Sequence, residues 1–97
     1  MTIVFYSPGA LADIERLAEF LTATDPNAAA ETGRILMEAI AMLAGHPLVG
    51  RIAESGLREL VISRGRSGYV ALYRFDAETD RVFILAIRHQ RELSSSK

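Results

Sequence analysis

Cysteine is absent from this 97-residue chain, which excludes a disulfide framework and cysteine-ligated zinc. The absence agrees with a reducing compartment, and a cytoplasmic location is the expectation. Lysine is almost missing too, with Lys97 the single one, and His46 and His89 are the only histidines. No long hydrophobic run occurs: Val82–Ile87, which no other run exceeds, is far short of the roughly 20 residues that cross a bilayer. Met1–Tyr6 has neither a basic stretch nor an extended apolar one, so no targeting segment and no membrane contact are expected. No metal-ligand cluster stands out and no cofactor is expected. Gly65-Arg66-Ser67-Gly68 is too short for a phosphate loop and reads as a turn.

What is present suits one small domain over residues 1–97, with 92–97 a flexible polar tail. Apolar residues make up 49% of the chain, enough for a core, although a domain this small is only marginally self-sufficient. The net charge of −1 hides an asymmetry. Residues 1–48 carry six acids and two bases, giving −4; residues 49–97 carry nine bases and six acids, giving +3. Eight of those nine bases are arginine, the side chain suited to bidentate contacts with carboxylate or phosphate. A solvated basic face accounts for the composition equally well.

Thr2–Tyr6 is β-branched and aromatic and reads as a strand. Ser7-Pro8 then signals a helix start, with serine as N-cap and proline at the first helical position. Leu11, Ile14, Ala18 and Leu21 follow helical spacing, widened by Leu17. Asp25-Pro26 repeats the start signal, and Thr32, Ile35, Leu36, Ala39, Ile40 and Leu43 form the apolar face of a second helix stopped by Gly45 and Pro47. A short Thr22–Thr24 link makes the two an antiparallel hairpin. Gly33, in mid-helix, costs roughly 1 kcal/mol relative to alanine, and close helix–helix approach is the expected reason. Residues 46–57 read as a long loop. Three strands follow, Arg58–Ser63, Tyr69–Phe75 and Arg81–His89, of which Val82–Ile87, apolar on both alternations, should be central. The fold class expected is α+β, in the order β-α-α-β-β-β, with the helical hairpin on one face of a mainly antiparallel sheet.

Pairing the strands as hairpins, with Leu60 opposite Leu72 and Tyr73 opposite Phe83, sorts the side chains into two apolar faces. One carries Leu60, Ile62, Val70, Leu72, Val82 and Ile84; the other carries Val61, Tyr69, Ala71, Tyr73, Phe75, Phe83, Leu85 and Ile87. One helical hairpin covers one face. The uncovered face marks a partner site, unless the 46–57 loop or a second copy of the chain shields it. The same register gathers Arg58, Arg74 and Arg81 at one end of the sheet and Arg64, Arg66, Arg88, His89 and Arg91 at the other, the latter a candidate surface for phosphate or an acidic partner.

The order of elements resembles the RelE/ParE toxins of type II toxin–antitoxin systems. So do Tyr6-Ser7-Pro8 with Ala10, Ala12, Asp13 and Ile14; Ala29-Ala30 with Ile35-Leu36 and Ile40; Pro47 with Gly50-Arg51; Leu57–Ile62; Tyr69-Val70 with Leu72-Tyr73-Arg74; and Ile84–His89 with Arg91-Glu92. The resemblance covers nearly the whole chain, is closest to the ParE and plasmid-stabilisation branch, and rests on the ordered set. It implies a cytoplasmic toxin neutralised by a cognate ParD-like, ribbon-helix-helix antitoxin in a hetero-oligomer, which meets operator DNA only through the antitoxin. The antitoxin is expected on Tyr69, Tyr73, Phe75, Phe83 and Leu85, and the target on Arg64, Arg66, Arg88, His89 and Arg91.

The family splits between two activities. A ParE-like inhibitor of DNA gyrase needs a binding surface and no catalytic group. A RelE-like endoribonuclease, cutting mRNA on the ribosome, needs an acid or base and cations for the developing charge. His89, Arg88, Arg58 and Arg74 are the candidates for that chemistry, with Tyr69 or Tyr73 to stack a base; His46, before Pro47, suits a loop role. The scarcity of lysine and a pI near 6.1 disfavour an RNA-bound enzyme. Gyrase inhibition is therefore the expected activity, with mRNA cleavage the alternative and an inactive toxin kept for antitoxin binding and operon autoregulation a third.

Overall fold

The computed structural model describes residues 2–64 and 67–89. Strand β1 (Ile3–Tyr6) leads into helix α1 (Pro8–Thr24) and helix α2 (Pro26–Ala41), which ends in a 3₁₀ turn at Met42–Ala44. A two-residue strand β2 (Arg51–Ile52) and a second 3₁₀ turn (Glu54–Gly56) interrupt the stretch that reads as a loop. Strands β3 (Arg58–Arg64), β4 (Ser67–Asp76) and β5 (Arg81–His89) follow. They build one sheet in the order β1-β5-β4-β3-β2. Only the β1–β5 pairing is parallel among the described strands, and β5 lies inside the sheet as its apolar sequence requires. The expected fold class is therefore the observed one, with β2 added at one edge.

Both helices start where the side chains dictate. Ser7 Oγ accepts from the Ala10 amide at 3.0 Å with Pro8 in the first turn, which satisfies an otherwise orphaned donor. Asp25 does two jobs. Its amide donates to the Leu21 carbonyl at 2.7 Å and closes α1, while its carboxylate accepts from the Asn27 and Ala28 amides at 3.1 and 3.3 Å and opens α2. The link between the helices is thus one residue, shorter than the Thr22–Thr24 span suggests, because Thr22–Thr24 remain helical. The hairpin folds back so that Met37 Sδ of α2 lies 3.7 Å from the Tyr6 hydroxyl of β1.

The core forms between the helices and one sheet face. Ala10 and Leu17 of α1 and Leu36, Ile40 and Leu43 of α2 and its 3₁₀ extension pack on Leu60, Ile62, Tyr69, Ala71, Tyr73, Val82, Ile84 and Ile87. The α2 stripe is the expected one. On α1, Leu11 and Ala18 face solvent and Ala10 is buried instead, because the contact stripe is rotated by about one residue. Gly33 is a second correction: a methyl group there would meet nothing within 4 Å, so helix–helix approach does not explain it.

The strand register also differs from the assumed one. Leu60 pairs with Ala71 and Ile62 with Tyr69. Arg64 pairs with Ser67, so β3 lies one position away from the assumed register against β4. Gly65 and Arg66 lie outside the described residues, and Ser67-Gly68 belong to β4. Between β4 and β5 the register shifts at Leu72/Tyr73: Leu72 pairs with Ala86 but Tyr73 with Ile84, so Leu85 is the extra residue of a bulge. A one-residue slip exchanges faces, and a bulge does so partway along a strand.

Candidate partner-binding face

The register decides what the uncovered face presents. Along β1, Ile3 and Phe5 point away from the helices and stay substantially exposed, while Val4 and Tyr6 pack on the core. Pairing then sets Phe83 beside Phe5, Arg74 beside Phe83, Leu72 beside Ala86, and Val61 and Arg88 on either side of Val70. The cover is uneven. Val61 is 40% exposed and Phe5 41%, whereas Val70 is buried yet outside the main core. A shallow depression lined by Ala53, Glu54, Leu57, Glu59 and Leu72 lies where the second 3₁₀ turn meets the sheet.

Aromatic and cationic groups order this face. The rings of Phe5 and Phe83 stack with centroids 5.6 Å apart and planes within 18°. The Arg74 guanidinium packs 4.9 Å from the Phe83 centroid and that of Arg81 5.6 Å from the Phe5 centroid, both within the range of cation–π attraction. The acids of this face are engaged elsewhere. Glu59 pairs with Arg51 at 2.9 Å. Asp76 organises the β4–β5 turn: a hydrogen bond from the Thr79 side chain holds its carboxyl below the usual range, partly offset by desolvation and helped by the Glu78 and Thr79 amides and the charge of Arg74.

A second cluster fixes the Pro47–Gly50 loop. The Tyr73 side chain, fully buried, accepts from the Gly50 amide at 2.9 Å and donates to the Pro47 carbonyl at 2.8 Å. Arg58 donates to the carbonyls of Gly50 at 2.8 Å and Leu48 at 3.2 Å. A methyl on Gly50 would stand 2.6 Å from the Tyr73 ring and 2.9 Å from the Glu59 carbonyl, so only glycine fits. The loop held this way carries Leu48 and Val49 into solvent, and Ile52 of the adjoining β2 is exposed as well.

A third cluster joins α1 to β5 beyond the end of β1. The Asp13 carboxylate accepts from the Ile87 amide at 2.9 Å and from the Arg88 guanidinium, with Arg16 3.7 Å away. Ser7 Oγ donates to the Leu85 carbonyl at 3.2 Å. Side chains of α1 thus take over the edge of β5 that β1 leaves free.

The expected site residues are redistributed accordingly. Tyr69 and Tyr73 are only 3% and 0% exposed, and Phe75 packs against the core, so these three lie under the helices and not on an open surface. Leu85 sits in the bulge beside α1, and Phe83 alone of that set is on the uncovered face. The cause is the β3 slip and the β5 bulge. Of the arginine and histidine cluster, Arg66 and Arg91 lie outside the described residues, and Arg64 ends β3 opposite Ser67. Arg88 is bound to Asp13, and His89 meets the Tyr69 ring edge-on at 5.1 Å. Arg58 and His89 lie at opposite ends of the sheet, opposite Tyr73 and Tyr69 of β4, roughly 13 Å apart at about 3.3 Å per residue. His46 is exposed in the loop, its carbonyl accepting from Val49 at 3.2 Å. Phe5 is the partner-face residue that strand reading missed. Its signal is that β1 places large apolar side chains at both phases, Ile3 and Phe5 against Val4 and Tyr6, more than one covered face requires.

Comparisons with known proteins agree on one family. The family model described as "ParE toxin of type II toxin-antitoxin system, parDE" matches residues 4–94. The chain is 35% identical over 92 residues to Toxin RelE3 of Caulobacter vibrioides, covering 95% of this chain and 98% of that one. It is 39% identical over 71 residues to Toxin RelE1 of the same organism, covering 73% and 76%. Among solved structures, a chain of the chromosomal ParDE system from P. aeruginosa shares the fold with a TM-score of 0.75 at 22% identity, covering 90% of this chain and 94% of that one. A chain of the RelBE2 toxin–antitoxin complex from Mycobacterium tuberculosis superposes with a TM-score of 0.60 at 27% identity, covering 91% and 96%. On its sequence match and its fold together, this chain belongs to the ParE toxins of the RelE/ParE superfamily, the toxin class of type II toxin–antitoxin systems.

Proposed function

We propose that this toxin is neutralised by a cognate ParD-like antitoxin and acts in the cytoplasm by inhibiting DNA gyrase. The hetero-oligomer meets operator DNA only through the antitoxin. The observation that carries the choice of target is the dispersal of the groups a nuclease would need. His89 lies against Tyr69 at one end of the sheet, and Arg58 is committed to the Leu48 and Gly50 carbonyls at the other. Arg74 packs on Phe83 and Arg88 is held by Asp13. Phosphodiester cleavage requires such groups to converge within hydrogen-bond reach of one phosphate, whereas inhibition by binding requires a surface. The two solved neighbours come from toxin–antitoxin systems, which supports an antitoxin partner.

The competing reading is a RelE-like mRNA endoribonuclease, favoured by the likeness to two Caulobacter toxins that carry the RelE name. Purified toxin added separately to gyrase supercoiling and to ribosomal translation tests both. Loss of supercoiling with translation intact is the expected result. Loss of translation with gyrase unaffected removes the gyrase reading, and His89→Ala and Arg88→Ala then report whether those groups cut RNA.

A further inference from the structure

We propose that the segment 47–52 is a rigid apolar prong that seats in a hydrophobic cleft of the folded protein this toxin inhibits, with Leu48, Val49 and Ile52 as the anchoring side chains. The proposal rests on the reading of this chain as an inhibitor of DNA gyrase and names the residues and the chemistry of that contact.

The segment is mounted rigidly. Pro47 and Leu48 occupy the centre of a turn closed by the Val49 amide on the His46 carbonyl at 3.2 Å, and proline presets the backbone angle that a turn needs at its second position. The Pro47 carbonyl and the Gly50 amide both meet the buried Tyr73 hydroxyl, and Arg58 donates to the carbonyls of Leu48 and Gly50. A core tyrosine and an arginine thus hold the backbone of a surface loop. What they hold out is apolar: Leu48 is 58% exposed and Val49 52%. Ile52, two residues past Gly50 on the β2 edge, is 76% exposed. It pairs with Arg58, which lies opposite the core residue Tyr73, so its side chain is on the helix side of the sheet and not on the uncovered face. Loops that only connect elements carry polar residues. Aliphatic side chains on a preformed backbone lose little freedom on docking, which suits them as interface anchors.

Three features select a folded protein as the receiver. The loop projects, so its partner must offer a concave apolar surface, which a preformed cleft has and an extended peptide lacks. Both arginines of the stretch 46–58 are engaged, Arg51 with Glu59 at 2.9 Å and Arg58 with the loop carbonyls, and nucleic-acid binding depends on cations free to meet phosphate. Three aliphatic side chains cover far less than the roughly 1,200 Å² of a stable interface, which argues against a second copy of this chain. The depression that a second copy would offer beside β2 is shallow and carries Glu54 and Glu59 in its lining.

The test uses the full chain in a gyrase supercoiling assay, read as the toxin concentration that halves activity. Leu48→Ser/Val49→Ser/Ile52→Ser should raise that concentration on the order of a hundredfold, with the melting temperature little changed because all three side chains already meet water. Leu48→Met/Val49→Ile/Ile52→Leu keeps the surface aliphatic and should inhibit like the parent. Phe20→Ser, which removes an exposed ring from α1, should change nothing. If the parent chain leaves gyrase active, the gyrase reading fails and this proposal with it. If the parent inhibits and the serine variant, folded by its near-ultraviolet spectrum, inhibits equally well, the gyrase reading stands and the segment is not its anchor. A cognate antitoxin should bind parent and serine variant alike in titration calorimetry, and both should be monomers by light scattering. Loss of antitoxin binding in the serine variant, or a parent dimer that the variant no longer forms, gives the patch another occupant and overturns the proposal.

Discussion

The Tyr73 hydroxyl sits 2.9 Å from the Gly50 amide, and the two residues touch so closely that a single added carbon would strike the phenol ring. That contact ties the centre of the sheet to a loop 23 residues earlier. Tyr73→Phe should leave the Gly50 amide and Pro47 carbonyl short of a partner and lower stability by about 1–3 kcal/mol. Gly50→Ala should cost at least as much through overpacking. Urea unfolding midpoints measure both, and accelerated hydrogen exchange at the Gly50 amide should accompany the tyrosine change.

Gly33 offers the opposite outcome. It is exposed within α2 with open space where a side chain would begin. Gly33→Ala should therefore stabilise the protein by about 1 kcal/mol. A melting temperature that falls would mean that this position touches something the folded chain alone does not display.

Asp13 holds the Ile87 amide and the Arg88 guanidinium at once, with its side chain 15% exposed against 44% for Arg88. Asp13→Ala should lower stability by about 1–2 kcal/mol, a figure reduced for the solvent around Arg88. Asp13→Asn retains an acceptor for the amide and should lose less. Chemical denaturation of the two variants side by side separates the amide contribution from the charge.

The pH response follows from Asp76. Its folded carboxyl titrates below the ordinary value because the Thr79 side chain and turn amides bind the ionised form. A depressed carboxyl contributes stability that is present above the unfolded value near 4 and is lost as pH falls through the lower folded value. Asp76→Asn should thus make the acid limb of the stability profile shallower below about pH 4. An unchanged acid limb, recorded by thermal melts across that range, would show that Asp76 titrates alike in both states.

The elements of this fold were legible because local chemistry specifies them. Ser7-Pro8 and Asp25-Pro26 start the helices as their side chains require, and the stripe of Thr32, Leu36 and Ile40 finds the sheet. The faces were not legible. They depend on a one-residue offset between β3 and β4 and on an extra residue at Leu85, and neither leaves a mark in hydrophobic alternation when both alternations are apolar. Tyr69 and Tyr73 therefore read as a partner surface although they are core, while Phe5, in a strand of four residues, carried too little pattern to be noticed. The structural duty of Tyr73 was hidden for another reason: its loop partners are backbone groups of Pro47 and Gly50, which no side-chain pattern announces.

Asp25, which ends one helix and begins the next, leaves the hairpin without slack. Its amide closes α1 and its carboxylate opens α2, so a residue inserted or removed at this junction would part the two caps.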